Sequence, residues 1–415
     1  GVINAIALQS NDKAIIAGSF TDYNGIAVNS IARINQDGSF DNTLNSGDGT
    51  NEAISQLVIQ PNGKILIAGA FSTYNGDTVN GVVRLNRNGT RDNTFNAILP
   101  DTLERIHQIA LQPDGKIIVA GVTNMFDMYL YTLVRLNSDG TRDYSFNPTG
   151  RFTGDLRPTV NSIQLESGGN ILISVTIFDA SSSVPYHGFL SRIGSGGDEI
   201  ELKGLFWVNS LRVLSDGKIM AIGFEDMDWY QYEKRVVRLN SDLSVDSTFL
   251  FADNKSYTNE YGVDIETAAY QIDGKIVIAG EFQEINGLIS NNIARLNPDG
   301  SYDHTFNQHT GFNGTVLASA VYNKRLLIGG EFSRYNYQFR SNLVRLKENG
   351  SLDASFNTGT GPNGKVNTVI VQSNGKILIG GSFTSYNGIP CGNIARLNSD
   401  GSIDTHFYVS TDGEV

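Results

Sequence analysis

Apolar residues along this chain come in runs of four to seven, separated by short clusters of Gly, Asn, Asp and Ser, and helical spacing of apolar positions is absent over any useful length. Runs of this length bounded by turn residues predict short β-strands. The segment Ala53–Asn96 shows the arrangement. A first strand over Ala53–Gln60 closes at Pro61-Asn62-Gly63, a second covers Lys64–Phe71, a third Gly81–Asn86, and a polar fourth Thr90–Asn96. Links of two to four residues join the first strand to the second and the third to the fourth, which predicts antiparallel hairpins, and about ten residues join the second to the third.

The same order recurs eight times. The arginine of the third strand falls at Arg33, Arg84, Arg135, Arg192, Arg238, Arg295, Arg345 and Arg396, at intervals of 51, 51, 57, 46, 57, 50 and 51 residues. A glycine of the second strand falls at Gly18, Gly69, Gly121, Gly223, Gly280, Gly330 and Gly381, mostly 15 residues earlier, with Val175 in its place in the fourth repeat. Four antiparallel strands in about 52 residues, repeated eight times, predict an all-β fold: a single eight-bladed β-propeller with four strands per blade over residues 1–415. The expected blades are approximately 1–50, 51–100, 101–152, 153–204, 205–261, 262–312, 313–362 and 363–415. Both ends fall at the same phase of the repeat, so closure is expected to rest on packing between the first and last blades, and the chain is expected to be a segment of a longer protein.

Composition narrows the classes of partner. A net charge of −12 and a pI near 4.9 argue against nucleic acid as the main partner, and the shortness of the apolar runs argues against membrane insertion. The single cysteine, Cys391, excludes an intramolecular disulfide framework. The 45 glycines are accounted for by turns and strand steps of the repeat.

The strings IAGSF (Ile16–Phe20), YNG (Tyr23–Gly25), IARIN (Ile31–Asn35) and DGSFDNTLN (Asp37–Asn45), with their copies, resemble the delta-60 repeat family of bacterial and phage sequences. The resemblance covers essentially the whole chain and implies a β-propeller. It also implies a place in large extracellular or cell-surface bacterial proteins or in phage structural proteins, with no shared activity. The Gly-Gly step at Gly329-Gly330 and Gly380-Gly381 is common to kelch repeats as well, but the distant Tyr and Trp partners of kelch blades have no match at corresponding positions.

A residue present in every repeat is most simply explained by what every repeat needs. An aspartate follows most of the arginines by eight residues (Asp41, Asp92, Asp143, Asp246, Asp303, Asp353 and Asp404), and a structural ion pair is expected. The alternating oxygens of Asn35, Asp37 and Asp41 faintly resemble a calcium loop, yet Asn or Asp before Gly is also what a tight turn demands, so no cofactor is expected and calcium is the weaker alternative. The first strands carry a polar column, Asn4, Ser55, His107, Asn161, Asn209 and Asn367, expected to line the channel wall.

Departures from the repeat mark candidate function. The first, second and eighth repeats share F-[TS]-x-Y-N-G between second and third strands, and the sixth is close to it. The third to fifth abandon it for Met125, Phe126, Met128, Tyr129 and Tyr131, then Tyr186 and His187, then Trp229, Tyr230 and Tyr232, and a long connection adds Tyr257 and Tyr261. These loops are expected on one face over adjacent blades, where exposed aromatics and methionines beside carboxylates would contact a protein or a surface glycan. The five histidines show no metal-ligand spacing, and no nucleophile elbow or phosphate loop is present. The expected function is therefore a non-enzymatic, rigid binding or structural module within a larger extracellular assembly, a phage virion component or a bacterial surface protein. The alternatives are a carbohydrate-active enzyme using Asp127, Glu225, Asp226 and Asp228 on the same face, and a spacer without a ligand.

Overall fold

The computed structural model describes the chain apart from residues 1–2, 12, 24, 126–127, 147, 149–156, 179–184, 206, 229–230, 252–263, 286, 307–309, 373, 392 and 408–415, and it describes the backbone alone at 104, 124–125, 128–129, 157, 185–187, 204–205, 207, 209–210, 224–228, 231–235 and 264. Among the described residues there is no helix, and each repeat contributes one antiparallel sheet. The fold is all-β and propeller-like. Two compact units divide the chain: residues 1–35, 40–225 and 238–245 form one, and residues 36–39, 226–237 and 246–415 the other.

The second repeat shows why the apolar runs are unbroken rather than alternating. Its strands Ile54–Ile59, Ile65–Gly69 and Val82–Leu85 form one sheet with Ile65–Gly69 in the middle. All five residues of that middle strand are buried, because a neighbouring sheet covers each face. The core accordingly lies between consecutive repeats: Leu44 of the first packs with Ile67, Phe71 and Tyr74 of the second, and Leu66 and Ala68 on the opposite face pack with Ile109 and Val119 of the third. In the other unit, Phe306 and Val277 of the sixth repeat meet Ile328 and Tyr335 of the seventh in the same way.

The expected fourth strand is a correction. In seven repeats it shrinks to a single bridge, such as Leu85↔Arg91 and Leu397↔Ile403, so their main sheets have three strands. The cause is the aspartate that follows. Asp92 accepts from the amide and the hydroxyl of Thr94 at 3.1 and 2.6 Å, and this turn directs the chain away from the sheet. The fourth repeat has Ile200 where the aspartate would stand, and there a true fourth strand runs over Glu199–Leu205.

A β-bulge sits in the first strand of every repeat at one recurring position, between Ile54 and Gln56 in the second and between Val366 and Thr368 in the eighth. It explains the glycine of the second strand. A methyl group on Gly381 would stand 2.9 Å from the Val366 Cα and nearer still to the Lys365 carbonyl oxygen. The fourth repeat has Val175 at this position, paired with Val160, and nothing in the pairing explains how valine is accommodated there.

Five repeats insert a two-residue ribbon between second and third strands, Thr73–Tyr74 with Asp77–Thr78 and Arg334–Tyr335 with Gln338–Phe339 among them. The tyrosine of Y-N-G is its anchor: buried Tyr74, Tyr335 and Tyr386 donate their hydroxyls to the carbonyls of Gly89, Gly350 and Gly401 at 2.7, 2.5 and 2.6 Å. The third to fifth repeats replace the ribbon with longer strands. Ile117–Met125 pairs with Met128–Leu136 in one continuous hairpin, Ile171–Phe178 pairs with Pro185–Ile193, and Ile219–Asp228 is the longest strand of the fifth.

Candidate functional site

The recurring charges form one structural device. Asp92 Oδ2 takes Arg84 Nε at 2.6 Å and Lys64 Nζ at 2.7 Å, while the Arg84 guanidinium lies 4.7 Å over the Phe95 ring. The remaining arginine nitrogens reach Thr94 and the Ser138 carbonyl of the next repeat. Arg33 likewise reaches the Arg87 carbonyl at 2.6 Å and Arg135 the Ser195 carbonyl at 2.6 Å, and Arg295 and Arg345 reach the carbonyls of Glu348 and Ser399. Each of these five arginines thus ties its own repeat to the turn of the following one. Where the fourth repeat lacks the aspartate, Arg192 is gripped by both oxygens of Glu166 at 2.9 and 3.0 Å and by Glu201.

The turn aspartates report the same contact. Asp139 is held below the usual carboxylate range first by the Thr141 hydroxyl and then by Arg84 of the preceding repeat, and Asp400 by Ser402 and then Arg345. Asp37 follows the pattern through Ser39 and then Arg396, and a methyl on its neighbour Gly38 would meet Phe407 at 2.5 Å. The weak calcium alternative falls on these groups. Asp41 is engaged by Lys13 and Arg33 at 2.7 and 2.6 Å and Asp37 by Ser39 at 2.6 Å, while Asn35 donates toward the Phe40 carbonyl at 3.5 Å.

Burial works against ionisation of Asp41, Asp92 and Asp303, but the bonds from lysine, threonine and arginine outweigh it and hold each carboxyl well below its ordinary value. Asp353 and Asp404 are held at about 2 by the same balance. As pH falls, the unfolded chain, with aspartates near ~3.9, takes up protons before the folded one, so this stabilisation is complete above about pH 4 and is lost toward pH 2. Urea midpoints measured from pH 4 to pH 2 are expected to drop steeply.

The polar column occupies the recurring bulge and bonds to backbone. Asn4 donates to the Ile54 carbonyl at 2.9 Å, Ser55 to that of Ile106 at 3.4 Å and Asn161 to that of Val208 at 3.1 Å, each target lying just before the bulge of the next repeat. His107 reverses the sense: its Nδ1 accepts from the Val160 amide at 3.2 Å, which places the proton of the neutral ring on Nε2.

His107 lines a cavity of about 620 Å³ at the first strands of the second to fourth repeats, with Ser55, Arg105, Gln108, Thr159 and Asn161. Arg105 is the member that sequence comparison missed; Ala53 and Thr159 stand at the same offset before the bulge in the flanking repeats, so the internal repeat could have exposed it. Burial, and then the Arg105 charge, push the His107 pKa down to about 4. The unfolded chain, with histidine near ~6.5, therefore binds the proton first as pH falls, and stability declines from about pH 6.5 to pH 4. The His107→Asn variant, which copies Asn4 and Asn161, is expected to lose this slope, worth up to roughly 3 kcal/mol, in urea titrations compared with wild type across that range.

Of the aromatic candidates, Tyr131 is 1% exposed and packs 5.6 Å from the Phe189 ring, so it is a core residue and no part of a surface patch. Backbone pairing puts Met125 opposite Met128 at the tip of the third-repeat hairpin, with Tyr129 beside it. The side chains of Met125, Met128, Tyr129, Tyr186, His187 and Tyr232, and the whole of Phe126, Trp229, Tyr230, Tyr257 and Tyr261, lie outside the described residues. The same holds for the acidic candidates: Asp127 entirely, and the side chains of Glu225, Asp226 and Asp228.

Repeated sheets, inter-sheet core and arginine relay define a propeller-like repeat protein. A family model described as a domain of unknown function (DUF5122) beta-propeller matches residues 9–44, 60–95, 112–146, 214–249, 271–306, 323–356 and 372–407. These segments make up well over half of the chain, and the chain belongs to this family of β-propeller repeats. The model passes over the fourth repeat, where the aspartate is lost. No curated protein matches the sequence.

Among solved structures, the chain is similar to a eukaryotic initiation factor at 11% identity, covering 98% of this chain and 97% of that one with a TM-score of 0.49. It is also similar to the beta-propeller domain of the Trilobed protease from Pyrococcus furiosus (9% identity, 86% and 94% covered, TM-score 0.39). A third likeness is to the GH74 xyloglucanase from Xanthomonas campestris (9% identity, 100% and 68% covered, TM-score 0.34). Likenesses this distant carry no information about activity.

Proposed function

We propose that the eight repeats close into one ring, and that this ring is a rigid, non-enzymatic binding module of a larger extracellular assembly, a phage virion component or a bacterial surface protein. Closure is supported by the form of the contact at the first turn. Arg396 and Phe407 of the eighth repeat act on Asp37 and Gly38 of the first as Arg345 and Phe356 of the seventh act on Asp400 and Gly401 of the eighth. The ring would then need no strand borrowed from the other terminus.

The observation that carries the functional reading is the consumption of recurring chemistry by structure. Arginine, aspartate and lysine of the first, second, third and sixth repeats are bonded to one another and to the next turn, which suits a scaffold. Variation in sequence is concentrated between the second and third strands of the third to fifth repeats, where the chain has Met125, Phe126, Met128, Trp229 and Tyr230, and these are the proposed contacts to a protein or glycan. The test is a glycan array and a surface-component binding screen with analysis of products. Binding without new reducing ends, weakened by Trp229→Ala with Tyr230→Ala, is the expected result. New reducing ends would assign an enzyme acting through Asp127, Glu225, Asp226 or Asp228, and no binding at all would leave a spacer.

A further inference from the structure

The five ribbons are copies of one device, and the seventh repeat departs from the other four at four positions within seven residues. Tyr337 stands where the others have Gly25, Gly76, Gly287 and Gly388, and Phe339 where they have Ala27, Thr78, Ile289 and Pro390. Arg334 replaces Asp22, Thr73, Glu284 and Ser385, and Arg340 replaces Val28, Val79, Ser290 and Cys391. The other four ribbons form without any of these side chains. Gly25, Gly76 and Gly388 have positive φ and open space where a Cβ would point, and Tyr337 adopts the same left-handed backbone at φ +65° with a side chain 75% exposed. Left-handed backbone is unfavourable for a bulky side chain, so this tyrosine is held there against its preference.

Its surroundings make a platform. Phe339, 71% exposed, has the Arg334 guanidinium 4.3 Å over its ring, and Arg340 Nη1 donates to the Phe339 carbonyl at 2.6 Å. The base is rigid: Tyr335 is buried with its hydroxyl on the Gly350 carbonyl and its ring 4.6 Å from Phe312, and the Asn336 side chain accepts from the Gly311 amide at 2.7 Å. Neither arginine is in an ion pair among the described residues.

We propose that this ribbon is a second binding site, for a glycan containing uronic acids. Two exposed rings offer faces to the C–H surface of pyranoses, and two guanidinium groups offer donors to carboxylates and hydroxyls. The platform is the convex tip of a turn. An extended peptide would need a free sheet edge or a groove for its backbone, which a two-residue turn does not supply. In a uronic acid the carboxylate is borne by the stacking ring itself, which suits guanidinium groups set beside aromatic faces, whereas a nucleotide carries its charge on the backbone phosphate, away from its stacking base.

The site belongs to a different repeat from the contacts proposed above, and the variants test the two independently. Binding of oligogalacturonate and oligoalginate, with cello-oligosaccharide and oligothymidylate as comparisons, is measured by titration calorimetry on wild type, Tyr337→Gly, Phe339→Ala, Arg334→Gln and the Trp229→Ala, Tyr230→Ala double variant. The uronate oligomers are expected to bind, and Tyr337→Gly and Phe339→Ala to weaken them about tenfold or more. Arg334→Gln is expected to narrow the preference over cello-oligosaccharide, and the double variant to leave uronate binding unchanged. Because Tyr337→Gly restores the residue of the other ribbons, its melting temperature should be no lower than wild type. Absent uronate binding, binding unaffected by Tyr337→Gly and Phe339→Ala, or binding of oligothymidylate alone would overturn the proposal.

Discussion

Asp92→Ala is expected to destabilise the protein by about 3–5 kcal/mol, seen as a fall in the urea midpoint. Asp92 is buried and receives Arg84 and Lys64, so its loss leaves the Arg84 guanidinium, itself buried, without a counter-charge and removes the acceptor that forms the Thr94 turn. The damage should spread to the third repeat, because Arg84 also holds the Ser138 carbonyl. Asp77→Ala is the comparison. Its bond to Arg91 at 3.0 Å is solvent-exposed, and such pairs contribute about 0–1 kcal/mol. Equal effects from the two variants would refute the structural role assigned to the buried triad.

Gly381→Ala is expected to cost about 3 kcal/mol or more, at the upper end of what overpacking usually does. The obstructing atoms, the Lys365 carbonyl oxygen and the Val366 Cα, belong to backbone fixed by the bulge and cannot move aside as a side chain would. Gly388→Ala in the same repeat separates sterics from backbone preference. Gly388 has φ +77° with nothing near its missing Cβ, so alanine there meets only the left-handed penalty of roughly 1–2 kcal/mol. A larger loss at Gly388 than at Gly381 would contradict the bulge as the reason for the strand glycine. Both are read by urea unfolding followed through circular dichroism.

Most of the architecture was legible because it is local and repeated. Strand positions, the hairpin turns and the arginine with its aspartate eight residues on are all short-range patterns, and internal copies serve as controls for one another. The fourth strand was misread for a physical reason. D-x-[ST]-F has the polarity of an edge strand, but Asp92 bonded to Thr94 makes it a turn, and only the position of Arg84 and Lys64 determines which way the aspartate faces. Tyr131 was misread similarly, since aromatic character cannot distinguish a ring packed on Phe189 from one exposed at a loop. The seventh-repeat ribbon was visible as Y-N-Y in place of Y-N-G, yet its meaning depended on knowing that the glycine has positive φ and faces open space.

Strand pairing and turn chemistry depend on neighbours within about 50 residues, so the repeating β-sheet unit, its turns and its recurring residues are readable from the chain alone. What the recurring residues bond to emerges only from the packed fold. Arg33 to Arg87, Ser55 to Ile106 and His107 to Val160 each connect groups more than 50 residues apart, and these contacts exist only once one sheet has stacked on the next.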